Sequence, residues 1–206
     1  MKSRSTFAAL VLAVIPLTTG CWVRSVYPFY EDSDVVIDQT LAGAWVGEGE
    51  LRNCVLAITL SAARRTYTIE VANSESKTAG CKASTETQSE PMLFRGQLVQ
   101  IGQRRFFDVV EMDHDGLDML LKVETDRLGL ALTPLDSEWM ANAMDSNTVK
   151  LQGRAEVFGG EFGAGSPPDG RVTLVSATSD LRDFLRQHAN DKGVFSESGR
   201  MTFRRK

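Results

Sequence analysis

The chain has 206 residues, 23 Lys plus Arg against 27 Asp plus Glu, and a formal net charge of −4. That acidic balance excludes a nucleic-acid surface, which needs clustered positive charge, and the short basic end Arg204-Arg205-Lys206 does not reverse it. The length suits one sizeable core, while 2 His and 3 Cys are poor material for a four-ligand zinc site, so neither a metal nor another cofactor is expected.

Lys2 and Arg4 open the chain, Phe7 to Leu17 is apolar, Thr18, Thr19 and Gly20 are small, and Cys21 follows. A basic, apolar, small-residue order is that of a secretory signal peptide. The apolar run is too short for a spanning helix, which takes about 20 residues. With Cys at the cut site, the segment resembles a bacterial lipoprotein signal. The resemblance implies removal of residues 1–20 and acyl chains on Cys21; two such chains already anchor a protein stably. Because Trp22 follows and not an acidic residue, it further implies sorting to the outer membrane, facing the periplasm. With Cys21 acylated, Cys54 and Cys81 are left as a pair in an oxidising compartment, or as two separate buried thiols. A disulfide closing their loop of about 28 residues adds about 3–4 kcal/mol in the chain-entropy account.

Residues 21–40 read as a tether, with Pro28, the aromatics Trp22, Tyr27, Phe29 and Tyr30, and the acidic Glu31, Asp32 and Asp34. The aromatics place part of it on the domain or at a membrane interface. From Trp45 the period becomes two, and Trp45, Gly47, Gly49 and Leu51 share a face. Cys54, Leu56, Ile58 and Leu60 line one side of the next run, and Tyr67, Ile69 and Val71 alternate with polar residues. Asn73 to Pro91 is a polar loop with room for a strand near Cys81. Leu93–Ile101 and Arg105–Glu111 form a hairpin around Gly102-Gln103, and Leu117, Met119, Leu121 and Val123 then Leu128, Leu130 and Leu132 continue the alternation.

Asp136 can cap a short helix carrying Trp139, Met140, Ala143 and Met144. Gly153 to Gly170, with Pro167-Pro168, reads as a loop, and Val172–Ser176 as a strand. Thr178 or Ser179 can cap a second helix whose Leu181, Phe184, Leu185 and His188 fall on one face. Met201 and Phe203 suggest a final strand. Residues 41–206 are thus expected to be a mainly β domain, an antiparallel barrel or sandwich of about eight to ten strands with two short helices. A transmembrane barrel would carry apolar residues toward lipid, where this chain carries Glu, Lys, Thr and Asp.

Glu111-Met112-Asp113-His114-Asp115-Gly116 offers metal-ligand types, but its Gly stands in the wrong place for a calcium loop, and an Asp-Gly pair between two strands is a hairpin turn. His188 lacks a Ser or Cys nucleophile at a recognised spacing and reads as a packed or capping His. The glycines from Gly159 to Gly165 lack the Gly-Lys-Ser/Thr ending of a phosphate loop. Arg64-Arg65 and Arg104-Arg105 read as solvated charges at strand ends, with anionic lipid as the other option. Catalysis needs convergent titratable groups in a pocket, so no enzyme is expected.

Leu41-Ala42-Gly43-Ala44-Trp45 carries Gly-x-Trp at the start of the first long strand, which resembles the lipocalin (calycin) entry motif. Tyr27 to Trp45, Thr173 to Ser176 with Ser179 to Leu185, and His188-Ala189-Asn190-Asp191 with Phe195 resemble a set of uncharacterised bacterial lipoproteins with a lipocalin-like barrel. The resemblance implies that Gly43 and Trp45 close the barrel base and that an arginine of the last strand stacks on the indole, Arg204 first and Arg205 second; such a contact contributes about 2 kcal/mol when buried. The function expected is non-enzymatic. One reading is a lipid-anchored barrel that holds a small apolar molecule, its wall lined by Leu56, Ile58, Tyr67, Ile69, Leu121 and Leu130. The other is a barrel filled by its own side chains that docks to an envelope partner.

Overall fold

Eight of the predicted alternating runs close on themselves. The computed structural model describes residues 23–73, 91–113, 116–127, 129–158 and 169–206. Among them are eleven strands and two α-helices: β1 (Val23–Ser25), β2 (Gly43–Gly47), β3 (Cys54–Ser61), β4 (Thr66–Asn73), β5 (Met92–Ile101), β6 (Arg104–Glu111), β7 (Asp118–Thr125), β8 (Gly129–Pro134), α1 (Ser137–Asp145), β9 (Gly153–Phe158), β10 (Asp169–Leu174), α2 (Thr178–His188) and β11 (Met201–Arg205). Strands β2 to β8 each pair antiparallel with the next, and β11 bridges β8 back to β2. The result is a closed eight-stranded antiparallel barrel with two short helices.

Period-two alternation fills the inside. Trp45, Leu56, Ile58, Tyr67, Ile69, Leu98, Phe107, Leu121, Leu130 and Phe203 belong to one buried cluster, and a barrel of this strand number is just wide enough for side chains to occupy it. The Tyr67 and Phe107 rings meet edge to face with centroids 5.2 Å apart.

Alternation alone does not describe β5, β6 and β7. Leu98-Val99, Phe106-Phe107 and Leu120-Leu121 are apolar neighbours, so these strands are apolar on both faces. Their outer face, with Val99, Ile101, Phe106 and Leu120, builds a second core under β1, β10, α1 and α2. Asp136 caps α1, its carboxylate accepting from Trp139 N–H at 2.8 Å, as the sequence predicts. For α2 the expected cap is displaced: Ala177 is the capping residue and offers no side-chain bond. Instead Arg182 fixes the helix to the N-terminal segment through Asp34 (2.6 Å) and Glu31 (2.7 Å).

Three strands extend the sheet past the barrel. β1 pairs with the N-terminal end of β7, β10 runs parallel to β1, and β9 pairs with β10. Two sequence expectations change here. The segment read as a tether, from residue 23 on, lies on the domain: β1 joins the sheet, and Phe29 and Val35 are buried in the outer core. The 153–170 stretch is strand at both ends, because Val172 and Leu174 have an apolar core to face; residues 159–168 lie outside the described residues.

The first barrel strand is also shorter than predicted. It stops at Gly47, and a 3-10 turn at Gly49–Leu51 folds back over it, with Gly49 at φ +59°. A Cβ on Gly47 would stand 2.1 Å from the Leu51 carbonyl oxygen, so Leu51 reaches the interior from a turn instead of from the strand.

Candidate functional site

The base of the barrel is closed by the segment that leads into β2. Asp38 caps the 3-10 turn Gln39–Leu41, its carboxylate accepting from Thr40 N–H at 2.9 Å. Leu41 is fully buried in the interior cluster. The Trp45 indole N–H donates to the Leu41 carbonyl at 2.9 Å. Tyr67 crosses to the same place: its hydroxyl accepts from Asp38 N–H at 2.8 Å and donates to the Asp38 carbonyl at 3.1 Å.

The arginine stacked on Trp45 is Arg205, 5.1 Å from the ring centroid, not Arg204. Alternation decides this: Phe203 points inward, so Arg205 shares its side, while Arg204 is exposed on the other face between Val46 and Gly129. Arg205 also donates to the carbonyls of Thr40 (2.7 Å) and Ala42 (2.9 Å). Gly43 has φ +136°, a conformation side chains rarely adopt, and a Cβ there would come within 3.1 Å of the Arg205 guanidinium. The Gly and the Trp of the motif therefore serve one contact. Gly43→Ala is expected to cost about 1–3 kcal/mol in backbone strain, read as a lower melting temperature in thermal denaturation.

Arg65 and Arg105, read from sequence as solvated, hold this closure from outside. Arg65 donates to the Val35 carbonyl, and Arg105 pairs with Asp38 at 2.5 Å. Burial pushes the Asp38 carboxyl up, but bonds from Thr40 and Arg105 outweigh it and hold the group below its ordinary range.

On the outer wall lies an arrangement that the sequence reading missed. Asp108 of β6 is 3% exposed, and its carboxylate accepts from Phe29 N–H at 2.8 Å. Asp118 of β7, half-buried, is hydrogen-bonded to it. Burial first and the Asp118 charge second push the Asp108 carboxyl well above its ordinary range; burial also raises Asp118. Tyr30 beside them is pushed up to about 12, by burial and then by the Asp108 charge. The charge on either carboxyl makes it harder for the other to lose its proton. An open recess of about 270 Å³ over the pair is lined by Pro28, Tyr30, Thr66, Arg95 and Gln97. The signal was present in Phe106-Phe107-Asp108-Val109-Val110, a lone carboxyl inside an apolar run.

A second groove, of about 350 Å³, runs along β8 and β11, where Arg200 pairs with Glu124 at 2.6 Å. Among the described residues no group of three His, Cys, Asp or Glu side chains is placed to hold a metal ion. The Glu111–Gly116 stretch is the connection of β6 to β7, as predicted, with Gly116 at φ +70°; His114 and Asp115 lie outside the described residues. His188 stacks on Phe184 with centroids 5.6 Å apart and meets Asp191 at 2.7 Å, at the end of α2. That is a packed, helix-terminating role.

Leu56, Ile58, Tyr67, Ile69, Leu121 and Leu130, the expected wall, do converge in the interior. Cys54 is buried at the start of β3, while Cys21 and Cys81 lie outside the described residues. No family model, curated protein or solved structure matches the chain.

Proposed function

We infer that this is a lipid-anchored, non-enzymatic envelope protein whose lipocalin-like barrel is filled by its own side chains and docks to an envelope partner. The interior carries the choice between carrier and scaffold: Trp45, Tyr67, Leu98, Phe107 and Phe203 pack within one cluster, which a barrel of this strand number is just wide enough to hold. Acyl chains on Cys21 hold the protein to the periplasmic face of the outer membrane, and a Cys54–Cys81 disulfide fastens the β3–β4–β5 side of the barrel. The oxidising compartment that the signal implies supports that bond, because thiols pair there.

The test is a thermal-shift panel of fatty acids and other apolar molecules on the purified protein. Saturation at a hundred times Kd would add about 2.7 kcal/mol, a rise of about 5–11 °C at this chain size. The filled barrel gives no such rise; one ligand that produces it restores the carrier. The anchor is tested separately with Cys21→Ser, which is expected to move the protein from the membrane to the soluble periplasmic fraction and to remove the acyl mass from the N-terminal peptide. An unmodified Cys21 in the native host overturns the anchor.

A further inference from the structure

The extension β1–β10–β9 has two faces. One is buried through Val23, Val172 and Leu174. On the other, strand register sets Arg24, Thr173 and Arg154 in one row and Arg171 beside Glu156 in the next. Val26 and Val175 follow where β1 and β10 end, 46% and 48% exposed, with Val26 N–H donating to Leu174 O at 3.0 Å. The Arg154 side chain is 81% exposed, even with Glu156 3.3 Å away. Among the described side chains, Arg154 and Arg171 stand on this face with Glu156, on a chain whose net charge is −4, while Arg24 is half-buried with its Nε enclosed. Two residues before β1 stands Cys21, so its Cα lies no more than about 7 Å of chain from Val23.

We propose that this sheet face lies on anionic phospholipid headgroups, Arg154 and Arg171 on the phosphates and Val26 and Val175 at the acyl boundary. The proposal rests on the anchor at Cys21. Acyl chains there hold the face at high local concentration near the bilayer, so each contact needs little intrinsic affinity. Guanidinium groups match phosphate oxygens in pairs. The attraction acts only within a Debye length, about 10 Å at 0.1 M salt, which is the reach that an anchor so close to β1 provides. Each arginine near an anionic surface shifts the docked-to-undocked ratio about fivefold.

The test places an environment-sensitive fluorescent residue at position 175 of the full, lipidated chain. The protein is reconstituted into vesicles of phosphatidylglycerol mixed with phosphatidylethanolamine, or of phosphatidylcholine alone. The expected result is shielding from aqueous acrylamide on the anionic vesicles only. Raising the salt to 1 M, where the Debye length is about 3 Å, removes it. Arg154→Gln with Arg171→Gln weakens docking about 25-fold and leaves the melting temperature in place. The salt titration needs no variant, so a folding defect in the double substitution does not blunt the test. Full quenching on anionic vesicles with which the protein floats overturns the docked face and leaves the anchor standing. Equal shielding on phosphatidylcholine overturns the role of the arginines. Shielding seen in cells but not on vesicles replaces lipid with a protein partner. A chain that floats with neither vesicle brings down the anchor and the proposal together.

Discussion

Trp45→Ala is expected to lower stability by about 4 kcal/mol, within the range for removing a buried aromatic, and the melting temperature by about 8–16 °C. Three losses combine. The indole is 3% exposed within the interior cluster, so its removal leaves a cavity that eight paired strands collapse into only partly. The Leu41 carbonyl loses the indole N–H. Arg205 loses the ring beneath it, though it keeps its bonds to Thr40 and Ala42. Two milder substitutions separate these effects. Trp45→Phe keeps most of the apolar volume and drops the N–H bond, for about 1–2 kcal/mol. Arg205→Leu keeps the indole and drops the stack, which is worth about 0.5–2 kcal/mol. Thermal and urea denaturation of the three proteins check the order. Trp45→Ala within 2 °C of the unaltered chain, against the roughly 8–16 °C expected from size scaling, refutes the closure at the base.

The second large effect depends on pH and centres on Asp108 and Asp118. Both carboxyls have pKa values raised in the folded state from a starting value of 3.8. A raised value means that the folded chain holds protons that the unfolded chain releases, so stability falls as pH rises. The contribution is full below 3.8 and is lost as pH climbs through the raised values. Asp34 and Asp38 act in the opposite sense. For Asp34, burial is outweighed by bonds from Arg182 and from Glu31 N–H; for Asp38, by bonds from Thr40 and Arg105. Their lowered values give stability that is present above 3.8 and is lost as pH falls below it.

The chain is therefore expected to melt highest in mildly acidic solution and lower as pH climbs through the raised values of the two carboxyls. Asp118→Asn removes the second charge and keeps a hydrogen-bonding side chain, so it is expected to make that decline shallower, with the part due to burial of Asp108 remaining. Asp108→Ala behaves differently. It strands Phe29 N–H at a buried site, a loss of about 1–3 kcal/mol at every pH. Melting curves across pH for the three proteins read both effects. A decline of equal size below pH 10 in Asp118→Asn and the unaltered chain removes the coupling of the two carboxyls from the account.

Much of the barrel is legible in the chain because one face of each strand is buried and the other is wet. Tyr67, Ile69, Leu121 and Leu130 alternate with polar neighbours, and period two fixes their side. The doubled residues Val99, Phe106 and Leu120 were the visible trace of the second core, but doubling does not say what covers it. Part of the cover is β10, legible as Val172–Ser176, and the rest includes β1, whose three residues have no periodicity of their own and become a strand because β7 offers an unpaired end. The base was legible to one residue. Gly43 and Trp45 are legible, and Arg205 is within reach too: Met201 and Phe203 set the inward phase, and period two carries it to position 205 and not to Arg204, which the resemblance put first. Asp108 and Asp118 stand ten residues apart and meet through the register of β6 and β7, a relation that spacing along the chain does not express.

The seam of the barrel joins β2 near one end of the domain to β11 near the other, with Arg205 opposite Trp45. Ring closure is then a late event in synthesis: until residues 201–205 emerge, β2 and β8 each carry an open edge able to pair with another chain. Contacts of such long sequence separation also make folding slow. The nascent chain therefore spends its most vulnerable interval as an unsealed sheet, and trimming or bulky fusion at Arg205 falls on the clasp itself, not on a loose tail.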